Sequence, residues 1–316
     1  MQKPDGVHLT DFEWELVRPL IQEIEELKAE KDALILAHNY QRSELYHSVA
    51  DVRGDSLALA VAATTHAKRG PIVVCGVHFM AETAKIMNPD RVVLSPDPSA
   101  GCSLADSISA DDMRHLRQSN PNIPIVVYVN TSAEVKALAD ACCTSSNAAR
   151  VVNSFEEDTV IVAPDQHLAD WVRSQTTKTI LTWDGSCEVH RLFTTSDVAE
   201  LRQMHPDTHV LVHPECEVSV QESADFVGST SQLADYIERN RPQKVSLLTE
   251  CTMSDNLRSG YPQTSFVQPC SLCPHMRKIT LESVRDSLKH GFGEVHVDPD
   301  VSRRARRSLE YMVRVG

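Results

Sequence analysis

Nine short apolar runs, falling into three sets of three, constrain this chain more than any other feature. LILAHNY (34–40), IVVYVNT (125–131) and VLVHPEC (210–216) form one set. PIVVCGVHF (71–79), DTVIVAPD (158–165) and KVSLLTE (244–250) form a second. RVVLSPDPSAGC (91–102), KTILTWDGSC (178–187) and QTSFVQPCSLC (263–273) form a third. All are rich in Val, Ile and Leu and bounded by polar, Pro or Gly residues, the pattern of strands buried on both faces of a parallel sheet. Between the first and second sets another match recurs: VADVRGDSLALA from Val49, LADACCTSSNAA from Leu138 and SADFVGSTSQLA from Ser223. Each carries Ala-Asp, a short apolar step, hydroxyl residues and a helix start. The Ala-Asp pairs begin at 50, 139 and 224. The segments DFEWELVRPLIQEIEELKAEK, HFMAETAKIM, SAEVKALAD and SQLADYIER repeat apolar residues every three or four positions, as helices do.

This periodicity predicts an α/β fold of three similar three-layer αβα domains with parallel sheets around a pseudo-threefold axis. The expected units are 1–104 with an N-terminal helix, 105–191, and 192–316 with a C-terminal helical tail. Ligands of such sheets bind beyond the carboxyl ends of the strands. There the sequence places His38 and Tyr40, Tyr128 and Asn130, His213 and Glu215. Pseudo-threefold packing would turn these ends toward one another.

The net charge of −13 argues against nonspecific nucleic-acid binding, which needs a basic face. The N-terminal residues lack an apolar core of signal length, and no stretch approaches the roughly 18 apolar residues of a membrane span. A cytoplasmic protein with neither nucleic-acid nor membrane partners is expected.

The chain has nine cysteines, an odd number. In a large chain of this kind they are more often reduced, metal-bound or buried than disulfide-paired. Cys102, Cys187 and Cys273 close the three third-set runs and stand 85 and then 86 residues apart. Core packing does not require a cysteine at the same place in three diverged units. Three converging thiolates favour zinc, copper(I) or an iron–sulfur cluster. A cluster usually takes four cysteines, so three leave one iron open to act as a Lewis acid. The pair Cys270 and Cys273 is a lone CxxC. A structural zinc site wants two such pairs, and a thioredoxin-type motif follows an early strand. Cys273 is read as the ligand and Cys270 as its neighbour; the alternative keeps Cys270 as the ligand or as half of a redox pair. Cys75 reads as core and Cys216 as packing, while Cys142, Cys143 and Cys251 read as packing or as neighbours of the site.

GDSLA (54–58), TSSNA (144–148) and GSTSQ (228–232) each place hydroxyls at a helix start, where free N–H groups and the positive dipole end favour anions. Capping alone explains any one of them. Three copies beside three thiols point to carboxylate or phosphate binding by Ser56, Ser145 and Thr230. His38, His190 and His213 lie at or near strand ends and suit proton transfer or carboxylate binding. Glu215 is the carboxylate at a first-set strand end and the natural general base, with Tyr40 and Tyr128 to orient or donate protons. His8, His47, His66 and His115 fall in helical or linker contexts and are set aside.

From about Leu34 to Asp298 the chain resembles the quinolinate synthase family. The resemblance rests on AHNYQ, GVHFMAETAKIMNPD, GCSLAD, VYVNTSAEVKA, CTSSNA, APDQHL, GSCEVH, VHPEC, GSTSQ, CSLCPHM and EVHVD. It implies three αβα domains and a 4Fe–4S cluster on Cys102, Cys187 and Cys273, with one iron free. It implies condensation of iminoaspartate (iminosuccinate) with dihydroxyacetone phosphate to give quinolinate, phosphate and water. The upstream partner would be an L-aspartate oxidase or dehydrogenase. Binding positions carried over are His38, Ser56, Tyr128, Asn130, Ser145, His213, Glu215 and Thr230, with Ser229 beside them. Tyr40, His190 and Glu215 carry over as catalytic. The segment TECTMSDNLRS (249–259) lacks the Gly and the basic or His residues of many members, so no contact is assigned to it.

Two other readings compete. A zinc-dependent hydrolase could use the same three cysteines, although catalytic zinc more often takes histidine-rich sets and no HExxH helix is present. A non-catalytic sensor would not need the intact acid–base residues at the strand ends.

Overall fold

The computed structural model of the chain describes residues 1–267 and 269–316; Gln268, in the third-set run 263–273, lies outside them. Three four-stranded parallel sheets carry the three units. The first holds β1 (Leu34–His38), β2 (Val52–Gly54), β3 (Ile72–Cys75) and β4 (Val93–Leu94). The second holds β5 (Ile125–Tyr128), β6 (Ala141–Cys143), β7 (Thr159–Ala163) and β8 (Thr179–Thr182). The third holds β9 (His209–Val212), β10 (Phe226–Val227), β11 (Lys244–Leu248) and β12 (Ser265–Phe266). Their orders are β2-β1-β3-β4, β6-β5-β7-β8 and β10-β9-β11-β12, the same topology three times. Helices flank the sheets, giving three-layer α/β units as the apolar runs predict.

The nine predicted strands are present, and each unit adds an edge strand: β2, β6 and β10. These are the short apolar steps after the Ala-Asp pairs. The repeated Asp has a structural task. Asp51, Asp140 and Asp225 each accept from the first-strand backbone N–H of Ile35, Ile125 and Val210, at 2.9, 2.7 and 2.7 Å. Each returns its own N–H to the carbonyl of that same residue, at 2.9, 3.0 and 2.9 Å. A carboxylate clamp therefore aligns the edge with the central strand in every unit, because a buried backbone N–H must find a partner.

Packing breaks the threefold pattern. One continuous apolar core runs through the first two units and takes in the helices Leu281–His290 and Pro299–Val315. Leu281–His290 packs on β3 and on the N-terminal helix Asp11–Glu30. Pro299–Val315 packs on β6 and on the helix His78–Met87. The tail expected to belong to the third unit thus covers the other two. The third unit has two smaller clusters of its own, one on each face of its sheet. Among the described residues no helix is long and apolar enough to cross a membrane.

Candidate active site

The carboxyl ends of the three sheets meet at one cavity. Equivalent positions from each unit line it: His38, Tyr128 and His213 at the ends of the central strands, and Tyr40, Asn130 and Glu215 two residues further on. Ser56, Ser145 and Thr230 form a third ring and Cys102, Cys187 and Cys273 a fourth. His190 joins them. His8, His47, His66 and His115 do not line it. Among the described residues no Lys or Arg lines the cavity either, so an anion there would be held by neutral donors and helix ends.

The hydroxyl ring is built from helix starts, with local variation. Asp55 caps the helix Ser56–Thr65 by accepting from Ala58 N, which leaves Ser56 as its first residue. Ser229 caps Thr230–Asn240 by accepting from Gln232 N, leaving Thr230 first. Ser145 stands three residues before the helix Ala148–Asn153. Ser229 is fully buried, lies 3.0 Å from Ser146 Oγ and does not line the cavity, so its hydroxyl serves the cap. The carboxylate of Asp55 gathers all three turns, accepting from Ser146 Oγ at 2.7 Å and Ser231 Oγ at 2.8 Å.

Each cysteine opens a tight turn. The carbonyls of Cys102, Cys187 and Cys273 accept from Asp106, Arg191 and Arg277 N–H at 3.0, 3.1 and 3.2 Å. Each sulfur also faces backbone N–H groups two and three residues on: Leu104 and Ala105, Val189 and His190, His275 and Met276. Burial outweighs those donors. It pushes Cys102 up to about 12, Cys273 up to about 11 and Cys187 well above its ordinary value. The trio is protonated alone and would release protons on meeting a cation. The turns are tied together outside the thiols: Glu188 N–H donates to Ser103 Oγ at 3.0 Å, and Glu188 Oε1 lies 2.9 Å from His275 Nε2. Cys270 is disulfide-bonded to Cys251 and does not line the cavity, which leaves three thiols there. Cys75, Cys142, Cys143 and Cys216 are buried in strands or in the third unit's cluster.

A buried polar chain starts beside Cys187. Glu215 Oε1 accepts from Tyr128 Oη at 2.6 Å, and its Oε2 is 2.8 Å from His190 Nδ1. His190 Nδ1 is also 3.1 Å from Cys187 Sγ, and its Nε2 is 2.9 Å from Thr249 Oγ1. Thr249 Oγ1 is 2.6 Å from Tyr40 Oη. The His190 ring stacks on His213 with centroids 4.7 Å apart. Burial alone would push the Glu215 carboxyl up, but the His190 and His213 imidazoles and the bonds from His190 and Tyr128 hold it below the usual carboxylate range. Burial pushes both Tyr40 and Tyr128 well above an ordinary phenol, with the Glu215 charge adding to it. His38 and His213 are held neutral, lowered by burial to about 4 and about 3. In both, Nδ1 accepts a backbone N–H, from Tyr40 at 3.3 Å and from Glu215 at 3.4 Å, so Nε2 carries the proton.

The sequence reading assigned no contact to 249–259, yet Thr249 joins the chain just described and Glu250 lines the cavity. Glu250 is fully buried and accepts from Thr252 N at 2.8 Å and Cys273 N at 3.3 Å. Burial pushes its carboxyl up to about 7. Both residues directly follow β11, and a second-set strand end was the one signal that could have found them. Asp55 was hidden by the Ser it precedes.

Three parallel sheets that turn their carboxyl ends onto one internal acid–base site define an α/β enzyme made of three like units. Known proteins place it more narrowly. The family model described as NadA: Quinolinate synthetase A protein matches residues 22–314. Quinolinate synthase 1 of Mesorhizobium japonicum is 52% identical over 302 residues, 96% of this chain and 93% of the relative. Quinolinate synthase of Agrobacterium fabrum is 50% identical over 96% of this chain and 88% of its own. That of Caulobacter vibrioides is 48% identical over 97% and 84%. The chain belongs to the quinolinate synthetase A family.

Proposed function

We propose that this chain is a quinolinate synthase that condenses iminoaspartate with dihydroxyacetone phosphate, releasing phosphate and two waters per quinolinate formed. The observation that carries this reading is the ring of Cys102, Cys187 and Cys273 on the wall of the cavity that also holds Tyr40, His190 and Glu215. The donor set fits a 4Fe–4S cluster with one open iron. Three thiols stand on equivalent turns with two backbone N–H groups at each sulfur, and the neighbouring Cys270 is bonded elsewhere. Bound there, such a cluster supplies Lewis acidity toward a substrate oxygen.

The chain's own residues do the rest. Ser56, Ser145 and Thr230, with the helix ends behind them, receive carboxylate or phosphate oxygens. The Nε2–H groups of His38 and His213 donate to the same anions, and Asn130 offers its amide. Glu215 stays ionised and fixes the His190 ring and the Tyr128 hydroxyl, so its part in proton transfer runs through those partners. Tyr40 faces the substrate as the phenol that accepts or returns a proton. The substrate iminoaspartate is short-lived, so an L-aspartate oxidase or dehydrogenase would work beside this enzyme in the cytoplasm.

A second reading has an observation of its own. The ligand atoms of Cys187, His190 and Glu215 lie within 4.8 Å of one another, a set that could hold zinc with an open position, as in a hydrolase. Anaerobic assay of the purified protein with dihydroxyacetone phosphate and iminoaspartate generated in place separates the two. Quinolinate should appear with iron-containing protein; zinc-containing protein without quinolinate would favour the second reading.

A further inference from the structure

We propose that Glu188 and His275 form a door to the cysteine ring: their contact closes the solvent side of the wall on which Cys102, Cys187 and Cys273 stand, and its opening limits how fast iron leaves. This role rests on the functional reading above, in which the three thiols hold iron.

One side of the cavity is closed, since His38, Tyr128, His190, His213 and Glu215 are all buried. The cysteine side is thinner. Cys102, Cys187 and Cys273 are half-buried, and among the described residues lining the cavity Glu188 is the one exposed. Three turns meet there, and one contact spans them. Glu188, from the second turn, has its Oε1 2.9 Å from Nε2 of His275, from the third. The His275 ring lies over the first turn, where a side-chain carbon added at Gly101 would stand 3.6 Å from it. Both partners face the cavity and water at once, with side chains 44% and 24% exposed. This contact opens easily, because a pair half in water holds weakly. The other ring nitrogen, His275 Nδ1, is buried without a partner among the described residues, so a single hydrogen bond fixes the ring. The turns do not depend on that bond. Trp183 Nε1 donates to Ser107 O at 2.9 Å between the second cysteine segment and the first. Lys278 Nζ donates to Ser99 O at 2.7 Å between the third and the first. Rotation of two side chains would thus open the wall while the thiols stay in place. Groups around the ligands of a metal commonly set how firmly it is held.

The test follows iron release from anaerobically purified holoenzyme to excess ferrozine. It uses wild type, Glu188→Ala, His275→Ala, the double variant and Glu188→Gln. Expected are release rates about tenfold above wild type in each alanine variant, with starting iron content and urea midpoint unchanged. The double variant should be no faster than either single one, because each removes the same contact. Glu188→Gln, whose amide oxygen still accepts from His275 Nε2, should stay within about threefold of wild type. Alanine variants that release iron at the wild-type rate overturn the proposal. So does a double variant whose rate multiplies the two single effects. Faster release with a lowered urea midpoint also overturns it, because the turns themselves would then have loosened. If the alanine variants take up no iron, Glu188→Asp and Glu188→Gln decide. The shorter acid keeps the charge and loses the reach, so it should release iron faster, and a rate no faster than that of Glu188→Gln overturns the role. Wild type that holds no iron as purified removes the functional reading and the door together, a result distinct from iron-loaded wild type that releases no more slowly than its alanine variants.

Discussion

The first two units and the third present the same four strands in the same order but are held by different forces. Units one and two share one apolar core, sealed by the helices Leu281–His290 and Pro299–Val315. The third unit closes its own two small clusters, and it meets the others through polar groups: Glu215 on Tyr128 and His190, Thr249 on Tyr40 and His190, Ser231 on Asp55. Tyr40 is the apolar exception, its ring packing against both the shared core and one cluster of the third unit. A frame built by burial is rigid, because dense packing tolerates little rearrangement. A junction built from a few directional bonds is the part that a ligand or a proton can reset. The buried polar chain of Tyr128, Glu215, His190, Thr249 and Tyr40 lies in that junction.

The largest test of this contrast removes its central charge. Glu215→Gln keeps the shape but takes the ion from His190 and Tyr128. Steady-state turnover should fall by about a hundredfold or more. Hydrogen exchange should rise first in β9 and β11, while β1 and β5 stay protected. Equal loosening of all three sheets would break the comparison.

Truncating the cores should sort the units next. Leu309→Ala opens the shared core and Ile237→Ala opens a cluster of the third unit, each at about 2–5 kcal/mol. The former should lower the main unfolding transition, and the latter should show as an early, partial transition confined to 209–266. Calorimetry with exchange mass spectrometry reads both. A single transition shifted alike by the two substitutions would mean the units are not separable.

Acid gives the smallest effect. His38 and His213 are depressed to about 4 and about 3 by burial, against an unfolded value near 6.5. As pH falls the unfolded chain takes up these protons first. The stability is therefore fully present above about 6.5 and is lost as pH drops toward the folded values. Between pH 7.5 and 5 the two together should forfeit up to about 4 kcal/mol. Urea midpoints across that range, repeated on His213→Asn, should show the slope halved by the substitution. An unchanged slope would place the acid sensitivity elsewhere.

Much of this was legible in the chain. Repetition exposed nine of the strands and the cavity-lining rings, because a strand end that must face one axis three times leaves its mark at a fixed interval. The edge strands escaped because two or three residues carry no periodic signal, and the repeated Ala-Asp was visible as a repeat without its task as a backbone clamp. Ser229 read as a ligand group because a capping serine and a binding serine share one local pattern. Thr249 and Glu250 were passed over because the whole segment 249–259 was set aside, although the two themselves come straight after β11. The destination of the C-terminal helices was not legible, since an amphipathic stripe names no partner. Nor was the pairing of Cys251 with Cys270, which is made in space across 19 residues of chain.

The most direct test of the central claim is iron and acid-labile sulfide content, with the visible spectrum, of anaerobically purified wild type, Cys273→Ser and Cys270→Ser. The account predicts about four irons and four sulfides per chain in wild type and Cys270→Ser, and almost none in Cys273→Ser. Colourless wild type holding zinc, or metal lost from Cys270→Ser but kept by Cys273→Ser, would contradict it.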